Sequence, residues 1–161
     1  MASGDSLLVF DPLSNRPPVA DYASVDLRNG FVVLDFDDTA DEAALFLATL
    51  PSQYGGGQLI AIATWTSTTA TTGSAKLRIE ATRISSGANL DSLPSVDGTV
   101  DFTVSAPTTN GELVASQSAS INAGSAAAGD LLLVGVTRLA SDVADTLVGD
   151  IEFVSLEVRE A

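Results

Sequence analysis

Histidine and cysteine are both absent from this chain of 161 residues, and lysine occurs once, at Lys76. Without histidine the commonest general base and metal ligand is missing, and without cysteine there is neither a thiolate nucleophile nor a thiolate metal centre. A Ser-His-Asp triad is excluded outright. A chain without thiols suits any redox compartment, so this absence locates nothing. There is no phosphate loop and no Gly-x-Gly-x-x-Gly fingerprint. No apolar run reaches membrane-spanning length. The start, Met1-Ala2-Ser3-Gly4-Asp5, lacks the basic region and apolar run of a secretory leader, so none is expected. Bases are scarce too: 7 stand against 21 acids, giving a net charge of −14. Nucleic acid is bound through clustered Lys and Arg that displace counterions, so neither nucleic acid nor an anionic membrane is an expected partner.

What is present reads as β-structure. A hydrophobic fraction of 45% over 161 residues predicts one globular domain with its own core. Residues 1–30 hold a short apolar run, Leu7-Leu8-Val9-Phe10, followed by a stretch dense in proline that resists both helix and central strand. This predicts an N-terminal arm with one short strand, lying over the body or over a neighbouring subunit; a strand with an ordinary surface loop fits the residues equally. Residues 31–161 are expected to form the sandwich domain. Candidate strands are 31–36, 43–50, 58–66, 74–84, 99–105, 112–121, 130–138 and 150–158. Alternation is cleanest where Val100, Phe102 and Val104 share a face, while Leu131-Leu132-Leu133-Val134 reads as a central strand buried on both faces. Asn29-Gly30 and Asn110-Gly111 are strong turn signals. One stretch is ambiguous: Thr39-Ala40-Asp41-Glu42 has capping-box spacing, so Ala43–Leu50 on its own residues leans towards helix. About eight strands with regular turn signals otherwise predict an all-β, jelly-roll-like antiparallel sandwich.

Chemistry-bearing clusters are few. Asp35, Asp37, Asp38 and Asp41, with Glu42, form the densest acidic group, and convergent carboxylates suit a hard cation such as Ca²⁺. The spacing fails as an EF-hand, since Ala40 stands where the loop needs glycine and Phe46 where it needs glutamate. A solvated loop explains the group more simply, as it does Asp142, Asp145 and Asp150. Glycoside hydrolysis needs two facing acids, but 21 acids guarantee accidental pairs. A Ser-Lys dyad would need Lys76, which alternates with Arg78 and Glu80 as an exposed charged face does. The dispersed Lys76, Arg78, Arg83, Arg138 and Arg159 are expected to pair with carboxylates within or between subunits. Tyr54, beside Gly55-Gly56-Gly57, and Trp65 are candidates for a sugar-stacking patch; a lone Trp closing the core is the plainer reading. No catalytic residue, cofactor or metal is assigned, and the chain is read as a non-enzymatic binding or structural module.

Three stretches resemble small virion proteins of tailed bacteriophages. They are Val33-Leu34-Asp35-Phe36-Asp37-Asp38-Thr39 through Leu50-Pro51-Ser52-Gln53-Tyr54; Ala63-Thr64-Trp65-Thr66-Ser67-Thr68 with Arg78-Ile79-Glu80; and Asp130-Leu131-Leu132-Leu133-Val134 with Arg138 and Asp145-Thr146-Leu147-Val148-Gly149-Asp150. The resemblance covers most of the chain after residue 30 and implies a β-sandwich structural protein of the capsid decoration, or cement, type. It implies location on the outer capsid surface of a virion, a homotrimer, and the major capsid protein as partner. It also makes Ala43–Leu50 a strand. The arm residues Pro12, Arg16, Pro17 and Pro18 are then candidates for crossing a subunit boundary, where fixed φ angles lower the ordering cost. The alternative is a carbohydrate- or receptor-binding module of a tail fibre or other virion appendage, whose mark would be an exposed Tyr54–Trp65 patch near acidic loops.

Overall fold

Alternating apolar residues recur through most of the chain, and each such run is a strand in the computed structural model, which describes residues 4–92 and 94–161. The strands are β1 (Ser6–Phe10), β2 (Ser24–Arg28), β3 (Phe31–Phe36), β4 (Glu42–Thr49), β5 (Leu59–Ser67), β6 (Ser74–Ile84), β7 (Gly98–Ser105), β8 (Val114–Gln117), β9 (Leu131–Arg138) and β10 (Ile151–Glu160). They form two antiparallel sheets stacked as a jelly-roll-like sandwich. One runs β2-β3-β10-β5-β8, with β1 also on β10; the other runs β4-β9-β6-β7. Strand β10 organises the larger sheet: β5 takes one edge, while β3 and β1 share the other, meeting 151–153 and 156–159 respectively. A register shift between Phe153 and Ser155 marks the change of partner.

The core follows the two-residue period. Ala75, Leu77, Ile79 and Ala81 of β6 and Ala61, Ala63 and Trp65 of β5 are buried from opposite sheets. Aromatic rings bridge the layers: Phe46 of β4 stacks on Phe10 at 5.2 Å and on Phe153 at 5.9 Å, and Phe153 meets Phe36 edge-on at 6.1 Å. Each such burial contributes roughly 1.5–3 kcal/mol. Strand β9 is central, as its leucines suggest, but only one face is sealed: Leu132, Val134 and Val136 are buried, whereas Leu131 and Leu133 are half-buried.

One segment differs from the sequence reading, and another that its own residues left ambiguous is resolved as a strand. Residues 4–30 carry two strands rather than one, both built into the six-stranded sheet. Between them the chain makes a 3₁₀ turn over Pro12–Ser14, whose Ser14 amide is capped by Asp11 at 2.9 Å. It then runs along the edge of β4, where Arg16 N donates to Leu45 O (2.7 Å) and Ala23 N to Ala43 O (3.0 Å). The arm thus closes an otherwise open edge of its own sandwich. Ala43–Leu50 is the strand that the resemblance implied, not the helix its own residues favoured: β4 reads Ala44 and Phe46 into the core at strand spacing, and its register against β9 is unbroken from Glu42 to Thr49. The capping-box residues shape the preceding turn instead, with Glu42 Oε2 accepting from Asp37 N at 2.9 Å.

Candidate functional site

The β2–β3 hairpin turns through Asn29 and Gly30, both in the left-handed region (φ 48° and 86°), as a two-residue hairpin loop requires. Its tip is drawn towards β5 and the loop after β7. Arg28 Nη1 donates to Ser67 O at 3.0 Å and to Glu152 Oε2, and Nη2 to Asn110 Oδ1 at 3.2 Å. Asn110-Gly111 therefore belongs to a loop joining the two sheets rather than to a hairpin; a Cβ on Gly111 (φ 82°) would sit 3.2 Å from Arg28 Nη2.

Between this tip, β5, β10 and the loop lies a groove of about 290 Å³. Val33, Leu113 and Val154 make it apolar, and Phe31, 70% exposed, forms a flat wall. Arg28, Asn29 and Thr66 supply the polar groups. Thr66 is buried, yet its hydroxyl has no hydrogen-bond partner, and the same holds for Asp35 Oδ1. Both flank Glu152, which stands opposite Asp35 on one side and Thr66 on the other. Burial pushes the Asp35 carboxyl up to about 6, with Glu152, Asp26 and Asp150 adding repulsion. Glu152 is buried under Arg28, and neither it nor Asp35 lines the groove. An acid pair with one raised member exists, but it does not face a cleft.

The sequence-derived candidates fall elsewhere. Trp65 is 0% exposed, with Nε1 donating to Ser116 Oγ at 3.1 Å. Tyr54 is also buried; its hydroxyl donates to Gly57 O at 2.5 Å, and burial and then Glu160 push its pKa upward. The two rings therefore offer no exposed patch. Of the four candidate calcium ligands, three bind separate turn and loop amides and the fourth lies in a strand. Asp37 Oδ1 accepts from Thr39 N (2.6 Å) and Thr39 Oγ1 (2.5 Å), which hold its carboxyl below the usual range. Asp38 accepts from Gly149 N at 2.7 Å, Asp41 from Ser141 N at 2.8 Å, and Asp35 lies on the sheet. Among the described residues no group of three or more acidic side chains is placed to hold a metal ion. In the second acidic group, Asp142 accepts from Ala144 N (2.8 Å) and Asp150 from Asp38 N (3.2 Å), while Asp145 binds Arg138. Pro12 and Pro17 line a second groove of about 240 Å³ with Leu13 and Tyr22; Arg16 is exposed and Pro18 half-buried.

Arginines pair within the chain: Arg78 with Asp101 (2.7 Å), Arg83 with Asp130 (2.7 Å) and Arg159 with Glu157 (2.9 Å). Arg138 is fully buried. It grips Asp145 with two bonds of 3.0 Å and donates to Gly149 O and Leu147 O, both at 2.8 Å, fixing loop 139–150 beside β3. The groove residues Arg28, Phe31, Thr66 and Leu113 were invisible as a group in sequence, since three distant segments supply them. The one signal was Asn29-Gly30 between two alternating runs, which marks the hairpin.

No family profile and no curated protein matches this sequence. Solved structures do. A CBM36 domain of a multidomain xylanase from the hindgut metagenome of Trinervitermes trinervoides aligns with a TM-score of 0.56 at 10% identity, covering 96% of this chain and 97% of that one. An adhesin domain of Lys-gingipain from Porphyromonas gingivalis aligns at 0.54 and 11% identity, covering 98% and 99%. A CBM36 carbohydrate-binding module, solved with calcium and xylotriose, aligns at 0.52 and 13%, covering 94% and 99%. The likeness is one of fold. It spans nearly the whole chain, and no phage capsid protein is among these three neighbours.

Proposed function

We propose that this chain is a non-enzymatic binding module that takes carbohydrate in the Phe31 groove. The observation that carries the reading is the groove itself: an exposed aromatic face and an apolar floor beside an unpartnered buried hydroxyl, a guanidinium and an amide. Sugar rings present apolar C–H faces edged by hydroxyls, and such a wall with a few polar groups complements them. Support also comes from the neighbours, since the same sandwich holds xylotriose in one CBM36 module and occurs in a bacterial adhesin domain. A non-catalytic role fits the lack of histidine and cysteine and the burial of Glu152 beneath Arg28. Glycan-array screening followed by calorimetry tests it: Phe31→Ala should weaken binding of the best glycan at least tenfold, about 1.4 kcal/mol. Undiminished affinity in that variant would remove the groove from consideration.

A second reading, decoration of a virion shell, is favoured by a separate observation. Val9, Leu13, Val19, Tyr22, Val25 and Leu27 are all exposed, so apolar surface concentrates in the N-terminal segment. Surface of that kind is more often covered by protein than by sugar. On this reading the partners are the major capsid protein and further copies of the chain.

A further inference from the structure

Strand β2 ends the six-stranded sheet, and among the described residues no backbone hydrogen bond reaches its outer side. Residues directly opposite in an antiparallel pair share a face. Val25 stands opposite Leu34, a core residue, and Leu27 opposite Val32, so both side chains point to the core side of the sheet. Yet Val25 is 60% exposed and Leu27 64%. Val25 lines the second groove beside Pro12, Leu13, Pro17 and Tyr22 of the arm, which leave it open to solvent. An open edge with uncovered core-side side chains is a surface built for another strand.

We propose that β2 pairs antiparallel with β2 of a second copy about a two-fold axis through Leu27. Charge selects this occupant and this register. Residues 12–31 hold two bases, Arg16 and Arg28, and two acids, Asp21 and Asp26, so the whole net charge of −14 lies outside them. Two copies that repel one another elsewhere can approach here. An axis at Leu27 packs Leu27 on the partner's Leu27 and sets Asp26 opposite the backbone position of Arg28 of the partner subunit, a base whose guanidinium stays on its own Glu152 and Asn110 and which repels no acid across the seam. An axis one residue earlier would set Asp26 against the partner's Asp26, at a site where Asp35 and Glu152 already crowd negative charge. An isologous contact closes after two copies, so the assembly is a dimer rather than a trimer, whatever ligand the groove takes.

The lack of cysteine makes the register directly readable. Leu27→Cys introduces the only thiol, and the proposed axis brings two such thiols face to face; Val25→Cys places each thiol opposite Asn29 of the partner subunit instead. Light scattering coupled to gel filtration should give twice the 16.4 kDa chain mass for the wild type, and a single chain mass for Leu27→Arg. The far-UV dichroism should be unchanged in that variant, since Leu27 is exposed in the monomer, while its melting temperature should lose the dependence on protein concentration that dimerisation gives the wild type. On mild oxidation Leu27→Cys should cross-link at least tenfold faster than Val25→Cys. A single-chain mass for the wild type from micromolar to millimolar concentration overturns the proposal. So does a trimer mass, a dimer indifferent to Leu27→Arg, or equal cross-linking of the two thiol variants.

Discussion

Thr66 is the residue at which binding and stability separate most cleanly. Its hydroxyl is buried on the groove wall without a partner, a situation that costs about 1–3 kcal/mol. Thr66→Val keeps the shape and removes the orphan group, so thermal denaturation should show a protein more stable by about 1 kcal/mol. The same variant should bind glycan more weakly, because the unmet hydroxyl is what a ligand hydroxyl would satisfy. Asp35 gives a second prediction, on pH. Its carboxyl is held up at about 6 against an ordinary 3.8, so the folded state keeps this proton more tightly than the unfolded chain does. Its contribution to stability is therefore full below the ordinary value and falls away as pH rises through 6. Asp35→Asn should leave stability unchanged at about pH 3 and raise it by about 1–2 kcal/mol at about pH 8, a figure discounted for the carboxyl's partial exposure. Carboxyl NMR of the wild type should show one aspartate titrating near 6.

Elements differ in how far their sequences declared them. Strands β6, β7 and β10 were legible because each repeats apolar residues at a period of two along most of its length. Strand β4 was not, since Ala, Leu and Phe also suit a helix and local capping-box spacing favoured one; the unbroken ladder with β9 overrides that preference. Strand β2 was hidden by the prolines before it, although Val25 and Leu27 do alternate with Asp26 and Arg28. Loop 139–150 carries its own prediction. Arg138 satisfies Asp145 and two loop carbonyls from a fully buried position, so Arg138→Met leaves a buried carboxylate without its cation. Removing one partner of such a pair costs about 3–5 kcal/mol, which urea titration should register. Gly73 is fixed by the same loop: at φ 91° a Cβ there would lie 2.5 Å from Thr146 O, so no side chain fits.

At the scale of the molecule, fold and class were readable while the site was not. Period and turn signals suffice for a β-sandwich, because they depend on each segment separately. A groove made from Arg28, Phe31, Thr66 and Leu113 depends on which strands become neighbours, and no single segment encodes that. Choosing between glycan binding and shell decoration belongs to this scale also. Antibody-gold labelling of virus particles from the source tests the decoration reading: even label over heads would bring it forward, and particles without label would leave glycan binding as the reading.

Strand β10 has a temporal consequence. It holds β1, β3 and β5 together, so the larger sheet lacks its central member until residue 160 has been synthesised. During translation, β1 and β3 must wait with their edges bare for a strand more than a hundred residues downstream. Closure of such distant pairs is slow and leaves sticky intermediates. The dense acidic charge outside residues 12–31 then acts before the fold exists, keeping nascent chains apart while their sheet is unfinished.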